Sequence, residues 1–185
     1  MRIIAGQYRG RALTPVGKGD PGNSLRPTTD RVRESLFNML AGGRFGDPIG
    51  GARVLDLFAG TGALGLEALS RGATEAVFVE SGRVGQRLIR ANITLLGAAG
   101  RLLAQDATRL GPAGTLADLV FLDPPYGKDL GRRALDQARD GGWLAPGALV
   151  VWEENAAQTP PEGFTLRECR RFGETHATFL TFGTG

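Results

Sequence analysis

The sequence predicts an α/β protein built on a mostly parallel sheet with helices on both faces. Apolar, strand-like runs at 53–58, 76–80, 102–105, 119–123 and 148–152 alternate with helix-like stretches, and such alternation belongs to parallel sheets covered on both sides. A Gly-x-Gly-x-x-Gly run over 60–65 leaves the first strand and enters a helix. Beyond Pro160, the extended runs 164–171 and 175–182 are joined by Phe172-Gly173-Glu174 and read as an antiparallel hairpin closing one sheet edge.

Each element has its own signal. Residues 2–5 and 11–14 flank Gly6-Gln7-Tyr8-Arg9-Gly10 as a small hairpin, and 16–24 reads as a linker. Pro27-Thr28-Thr29-Asp30 then opens a helix. Thr28 or Thr29 caps it, Asp30 suits the positive end of its dipole, Val32, Leu36 and Leu40 form its buried stripe, and Arg31 and Arg33 project from its first turns. Further helices are expected over 63–70, 84–96 and 130–139, the second burying Val84, Leu88 and Leu95.

Composition narrows the function. The 185 residues suit one domain, and 42% hydrophobic with 22% charged residues excludes a disordered tail. No apolar stretch approaches the roughly 18 residues of a spanning helix. The first six residues lack the apolar core of a secretory signal, so a cytoplasmic protein is expected. A single cysteine, Cys169, and a single histidine, His176, leave no Cys-rich or His-x-x-x-His metal site, and no metal is expected. Residues 1–53 hold nine Lys or Arg against four Asp or Glu, while the remainder is slightly acidic. A basic N-terminal segment suits a phosphate-rich partner, although a basic edge also serves solubility alone.

Two motifs carry chemistry. In Asp56-Leu57-Phe58-Ala59-Gly60-Thr61-Gly62 the glycines let backbone approach a ligand at a helix N-terminus, and Glu80, at the end of the next strand, suits two ribose hydroxyls. A dinucleotide and S-adenosylmethionine both fit, as does tight strand-helix packing without a ligand. Asp56 favours S-adenosylmethionine, whose methionine end is cationic. The second motif is Asp123-Pro124-Pro125-Tyr126, delivered by an apolar strand to the sheet edge where such folds bind ligands. Asp123 and the Pro124 carbonyl are two acceptors beside an aromatic ring. They suit an exocyclic amine, whose two N–H bonds they hold so that the lone pair faces a methyl donor.

These motifs resemble the cofactor and catalytic elements of class I S-adenosylmethionine-dependent amino methyltransferases. More narrowly, the run from Leu25-Arg26-Pro27-Thr28-Thr29-Asp30 to Glu34, Gly6-Gln7-Tyr8-Arg9-Gly10-Arg11, the segment 62–71, Asn92 and Gly142-Trp143-Leu144 resemble the bacterial guanine-N2 methyltransferases of 16S ribosomal RNA. The resemblance implies a Rossmann-like fold of seven strands with the last antiparallel. It implies that Asp56, Phe58, Ala59, Gly60 and Gly62 line the methionine and ribose side, that Glu80 holds the ribose and that Asp106 and Ala107 meet the adenine. Asp123, Pro124 and Tyr126 would hold the guanine. Arg26, Thr28 and Arg31 would close the site from the N-terminal side, although locally all three fit helix capping and ion pairing equally well; the basic N-terminal charge separately assigns Arg2, Arg9, Arg11, Lys18 and Arg26 to RNA contact. Ser81-Gly82 departs from the acidic residue that relatives often carry after Glu80.

The expected organisation is a basic hairpin and linker over 1–24 and a methyltransferase domain over 25–185, acting as a monomer on 16S rRNA within the small ribosomal subunit. Two other readings stand: an adenine-N6 DNA or protein-glutamine methyltransferase using the same Asp-Pro-Pro-Tyr chemistry, and a catalytically idle nucleotide-binding or ribosome-assembly module. The chain has no sizeable separate domain for reading base edges in a duplex, which favours structured RNA. His176 and Cys169 read as sheet residues.

Overall fold

The computed structural model describes residues 1–17 and 29–183. Lys18, Arg26, Thr28 and most of the expected linker lie outside the described residues. The elements are α1 (Asp30–Ala41), β1 (Arg53–Leu57), α2 (Ala63–Ser70), β2 (Glu75–Val79), α3 (Arg83–Leu96), β3 (Gly100–Leu103), β4 (Ala117–Leu122), α4 (Leu130–Asp140), β5 (Leu144–Glu154), β6 (Phe164–Phe172) and β7 (Thr175–Phe182). They form a seven-stranded sheet in the order β3-β2-β1-β4-β5-β7-β6. Strands β1 to β5 pair in parallel, and β7 runs antiparallel to both β5 and β6. This is the expected α/β architecture.

Strand alternation divides the core in two. Val54, Phe78, Phe121 and Phe179 face α1, α2 and α3, whereas Leu55, Leu57, Val120 and Trp152 face α4. Phe37 of α1 meets Phe121 of β4 at 5.6 Å between ring centroids. The chain leaves β1 toward β2 and β3 on one side, and β4 and β5 fill the other. The order therefore reverses between β1 and β4, and a crevice opens at their carboxyl ends. Strand β5 begins earlier than the sequence suggests because its register against β4 shifts between Ala117 and Leu119, leaving Pro146 and Gly147 exposed on an irregular stretch. Among the described residues no helix is long and apolar enough to cross a membrane.

Three local expectations change. The N-terminal hairpin is docked into the body: Arg2 bridges Ala12, Ile3 and Leu13 enter the core, and the Ile4 and Ala5 N–H groups donate to the Glu67 carboxylate at 2.8 and 3.0 Å. Arg33 does not project from α1. It is fully buried, donating to the Arg2 carbonyl and, at 3.1 Å, to Asp30, with Nε 3.8 Å from Glu67. Position 33 shares a helix face with Leu36, Phe37 and Leu40, and the docked hairpin supplies the acceptors that let a guanidinium lie there; Val32 is only partly buried. In α3 the buried stripe is Gly85, Leu88, Ile89, Asn92 and Leu96, whereas Leu95 is 46% exposed. A glycine and an asparagine carry some of that stripe, so apolar residues alone point to the wrong side. As the sequence allows, Thr29 caps α1, accepting from the Val32 N–H at 3.3 Å.

Candidate active site

The site grows from the end of β1. Phe58 takes φ 59°, rare for a residue with a side chain, and Gly60 and Gly62 follow at φ 57° and 78°. This left-handed run turns the chain sharply into α2. The Ala59 N–H donates to the Val79 carbonyl at 3.0 Å, tying the turn to the end of β2. Glu80, buried just beyond β2, accepts from the Gly60 N–H at 2.8 Å and the Gly82 N–H at 2.6 Å. One carboxylate thus clasps the glycine turn and the start of α3, and its lone pairs exceed those two bonds.

Gly85 makes this approach feasible. A Cβ there would lie 2.8 Å from both Glu80 Cγ and the Gly60 carbonyl oxygen. Gly65 has the same role deeper in the fold, where a Cβ would meet Phe78 Cε1 at 2.5 Å. Its N–H donates to Asp56 Oδ2 at 2.9 Å. Burial pushes the Asp56 carboxyl well up; the Gly65 N–H opposes this, and the charges of Asp123 and Glu80 push it further up. Asp56, Glu80 and Asp123 are therefore within electrostatic reach at the ends of three neighbouring strands, an arrangement that favours a cationic ligand.

After β3, Asp106 caps a 3-10 turn over Ala107–Arg109, accepting from the Thr108 N–H and hydroxyl, both at 2.8 Å. Burial alone would raise its carboxyl, but the Thr108 bonds, with Arg109 and Arg133, hold it below the ordinary carboxylate value. After β4, the Asp123 N–H lies 3.5 Å from the Leu57 carbonyl, which sets the Asp-Pro-Pro-Tyr loop beside the glycine turn. Pro124 is buried and Tyr126 partly buried. The Tyr126 hydroxyl meets Thr175 Oγ1 at 3.2 Å, and the next residue, Gly127, donates to Glu154 at 3.0 Å. Burial holds the Tyr126 phenol above its ordinary value; Thr175 opposes this and Asp123, Glu153 and Glu154 reinforce it.

Eleven of the residues singled out in the sequence thus share the carboxyl edge of β3, β2, β1 and β4: Asp56, Phe58, Ala59, Gly60, Gly62, Glu80, Asp106, Ala107, Asp123, Pro124 and Tyr126. Arg31 is exposed on the first turn of α1, and Arg2, Arg9 and Arg11 are exposed on the hairpin. Four contributors escaped sequence reasoning about the site. Gly85 spaces Glu80, and its position inside a helix was the available signal. Thr175 and Glu154 hold the Tyr126 loop from distant strands, with no local signal. Asn92 is fully buried and bridges the Thr14 N–H, at 2.8 Å, to the Thr61 carbonyl, at 3.1 Å, joining the N-terminal segment to the glycine turn. Among the described residues no group of three His, Cys, Asp or Glu is placed to hold a metal ion.

The family model described as conserved hypothetical protein 95 matches residues 1–181. The chain belongs to this family. It is 45% identical over 179 residues to the ribosomal RNA small subunit methyltransferase D of Escherichia coli K12, covering 94% of this chain and 86% of that one. The protein of the same name from Haemophilus influenzae is 36% identical over 174 residues, with 90% and 86% covered. Among solved structures, the chain described as "putative methyltransferase yhhF" of Escherichia coli superposes with a TM-score of 0.84 at 39% identity, covering 100% of this chain and 99% of that one. The 16S rRNA methyltransferase RsmC of Thermus thermophilus, at 20% identity and a TM-score of 0.66 over 88% of this chain and 46% of its own, shares the fold. The fold is thus that of the class I methyltransferases.

Proposed function

We propose that the chain transfers a methyl group from S-adenosylmethionine to the exocyclic N2 amine of a guanine in small-subunit rRNA. The observation that carries this reading is the seating of the Asp-Pro-Pro-Tyr loop beside the glycine turn, with the Asp123 N–H 3.5 Å from the Leu57 carbonyl. The names of the related proteins support RNA of the small subunit as the substrate class.

S-adenosylmethionine, when bound, supplies a methyl group activated by an adjacent sulfonium. The chain's own residues fit it: Glu80 faces the ribose, Asp106 and Ala107 the adenine edge, and Phe58, Ala59, Gly60 and Gly62 give close backbone approach. Asp56 is placed so that the cationic methionine end would draw its buried carboxyl toward the charged form, and Arg31 closes the site from α1. Asp123 and the Pro124 carbonyl accept the two amine N–H bonds, which frees the nitrogen lone pair from the ring and aims it. Tyr126 stacks on the base while Thr175 fixes its hydroxyl. The methylated amine loses a proton to water or to Asp123. Residues 1–24, with Arg2, Arg9, Arg11 and Lys18, and Arg26 just beyond them, contact RNA phosphates around a methyltransferase unit over 25–185.

Calorimetry should show S-adenosylmethionine binding that Glu80→Ala weakens by about 1–3 kcal/mol, the scale of lost charge-assisted hydrogen bonds. Mass spectrometry of 16S rRNA from a strain lacking the gene should show one N2-methylguanine missing, restored by the wild-type chain. Tight NADH binding without S-adenosylmethionine binding, or an unchanged rRNA modification profile, would overturn the reading.

A further inference from the structure

Helix α3 holds Arg83, Arg87 and Arg90 and not one Asp or Glu. Spacings of four and three residues set the three arginines on a single stripe, opposite the buried Gly85, Leu88, Ile89 and Asn92. All three are exposed, and among the described residues none forms an ion pair. Elsewhere Arg33 pairs with Asp30 in α1 and Arg139 with Asp136 in α4, whereas α3 has no acidic residue of its own with which to pair. Two penalties follow for α3 standing alone. Like charges at this spacing weaken a helix, and Arg83 stands in the first turn, where the dipole disfavours a cation. An anionic partner reverses both.

The stripe also continues beyond the helix. Arg11 of the hairpin donates to the Leu95 carbonyl at 3.1 Å, which adds a fourth guanidinium at the C-terminal end of α3. At its other end α3 starts at Gly82, whose N–H donates to Glu80 at the site edge. A partner laid along α3 therefore reaches the Glu80 edge of the site.

We propose that the outer face of α3, joined to Arg11, is a phosphate-gripping surface that holds the RNA backbone independently of sequence while the target base enters the site. Forked guanidinium groups on a face without aromatic side chains suit phosphates rather than bases. The proposal rests on the reading of the substrate as RNA, and it adds residues from the body of the chain, whose net charge beyond residue 53 gave no hint of a cationic face.

The test uses the full chain, an unmodified 16S rRNA transcript and the triple variant Arg83→Gln/Arg87→Gln/Arg90→Gln. Glutamine keeps helix propensity, so thermal unfolding should not shift downward. Each phosphate contact contributes about 0.7–0.9 to the slope of log affinity against log salt. The variant should therefore lose about two to three from that slope and bind at least about tenfold more weakly near 0.1 M salt, with S-adenosylmethionine affinity unchanged. The matching Arg→Lys triple variant should keep most of the slope. An unchanged slope in the glutamine variant, while the wild type methylates the RNA, overturns the α3 surface and leaves the enzyme reading intact. A lost slope in the glutamine variant, while the wild type methylates neither the transcript nor unmodified small-subunit particles, supports the surface and overturns the enzyme reading. Failure of the wild type to bind either the transcript or unmodified small-subunit particles overturns both.

Discussion

Asp123→Ala is expected to lower turnover by about 10² to 10³, because the substituted site loses an acceptor that orients the amine and stabilises its developing charge. Asp123→Asn keeps one acceptor oxygen and should retain more activity than the alanine variant. Tyr126→Phe gives up only the 3.2 Å contact with Thr175 and should be mild, whereas Tyr126→Ala removes the stacking surface and should be severe. Methyl-transfer assays on unmodified small-subunit particles give this ranking directly; wild-type turnover in Asp123→Ala would reduce the loop to a structural role. Asp56 yields a pH prediction. Burial raises its folded pKa above the unfolded value of about 3.9, so the folded state binds more protons and stability falls as pH climbs from the unfolded toward the folded value. Asp56→Asn preserves an oxygen for the Gly65 N–H without a charge to bury. In cofactor-free thermal unfolding it should gain on the wild type as pH rises above about 4, the unfolded carboxyl value, and a pH-independent difference would refute that account.

At the scale of elements, the decisive contact is the approach of α3 to the glycine turn. Gly85→Ala places a methyl group 2.8 Å from Glu80 Cγ and from the Gly60 carbonyl. One of those neighbours is backbone, so α3 must shift outward or Glu80 must give up its two N–H partners. Cofactor affinity should fall by about tenfold or more, equivalent to about 1.4 kcal/mol, while far-UV circular dichroism stays unchanged, because alanine is the better helix former. Unaltered cofactor binding in the calorimeter would show that the cradle has slack. The hairpin is joined to the same turn through Asn92, so substitution of its arginines one at a time probes RNA contact more cleanly than deletion, which would also strip Ile3 and Leu13 from the core.

Across the whole molecule, a buried ionic hub unites elements distant in sequence. Glu67 is fully buried and accepts from Ile4, Ala5 and Arg71, with Arg33 at 3.8 Å, while Arg71 also lies 4.9 Å from the Phe37 ring centroid. Removing one partner of such a hub leaves buried charge uncompensated, which costs about 3–5 kcal/mol. Glu67→Ala should therefore lower the urea midpoint substantially, and Arg33→Met, which withdraws a charge instead of orphaning one, should be tolerated better. Equal losses in the two variants would contradict a net charge imbalance as the cause.

Much of this architecture was legible in the chain before folding. Strand alternation, the turn at Gly60 and Gly62, and the spacing from Gly60 to Glu80 are local patterns, and backbone sterics and burial translate local patterns into elements directly. The Asp-Pro-Pro-Tyr loop was equally plain, since proline and an apolar strand determine where its carboxylate emerges. Tertiary structure alone decided which partners those groups meet. Arg33 reads as a surface residue until the hairpin, 31 residues upstream at Arg2, covers it. Glu154 reaches Gly127 because β5 lies beside β4, and Thr175 reaches Tyr126 because β7 inserts beside β5. Asp56 becomes a perturbed acid only when α2 closes over it. Hydrogen bonds, desolvation and charge coupling depend on distance in space, and sheet order brings together residues whose separation along the chain carries no trace of that distance.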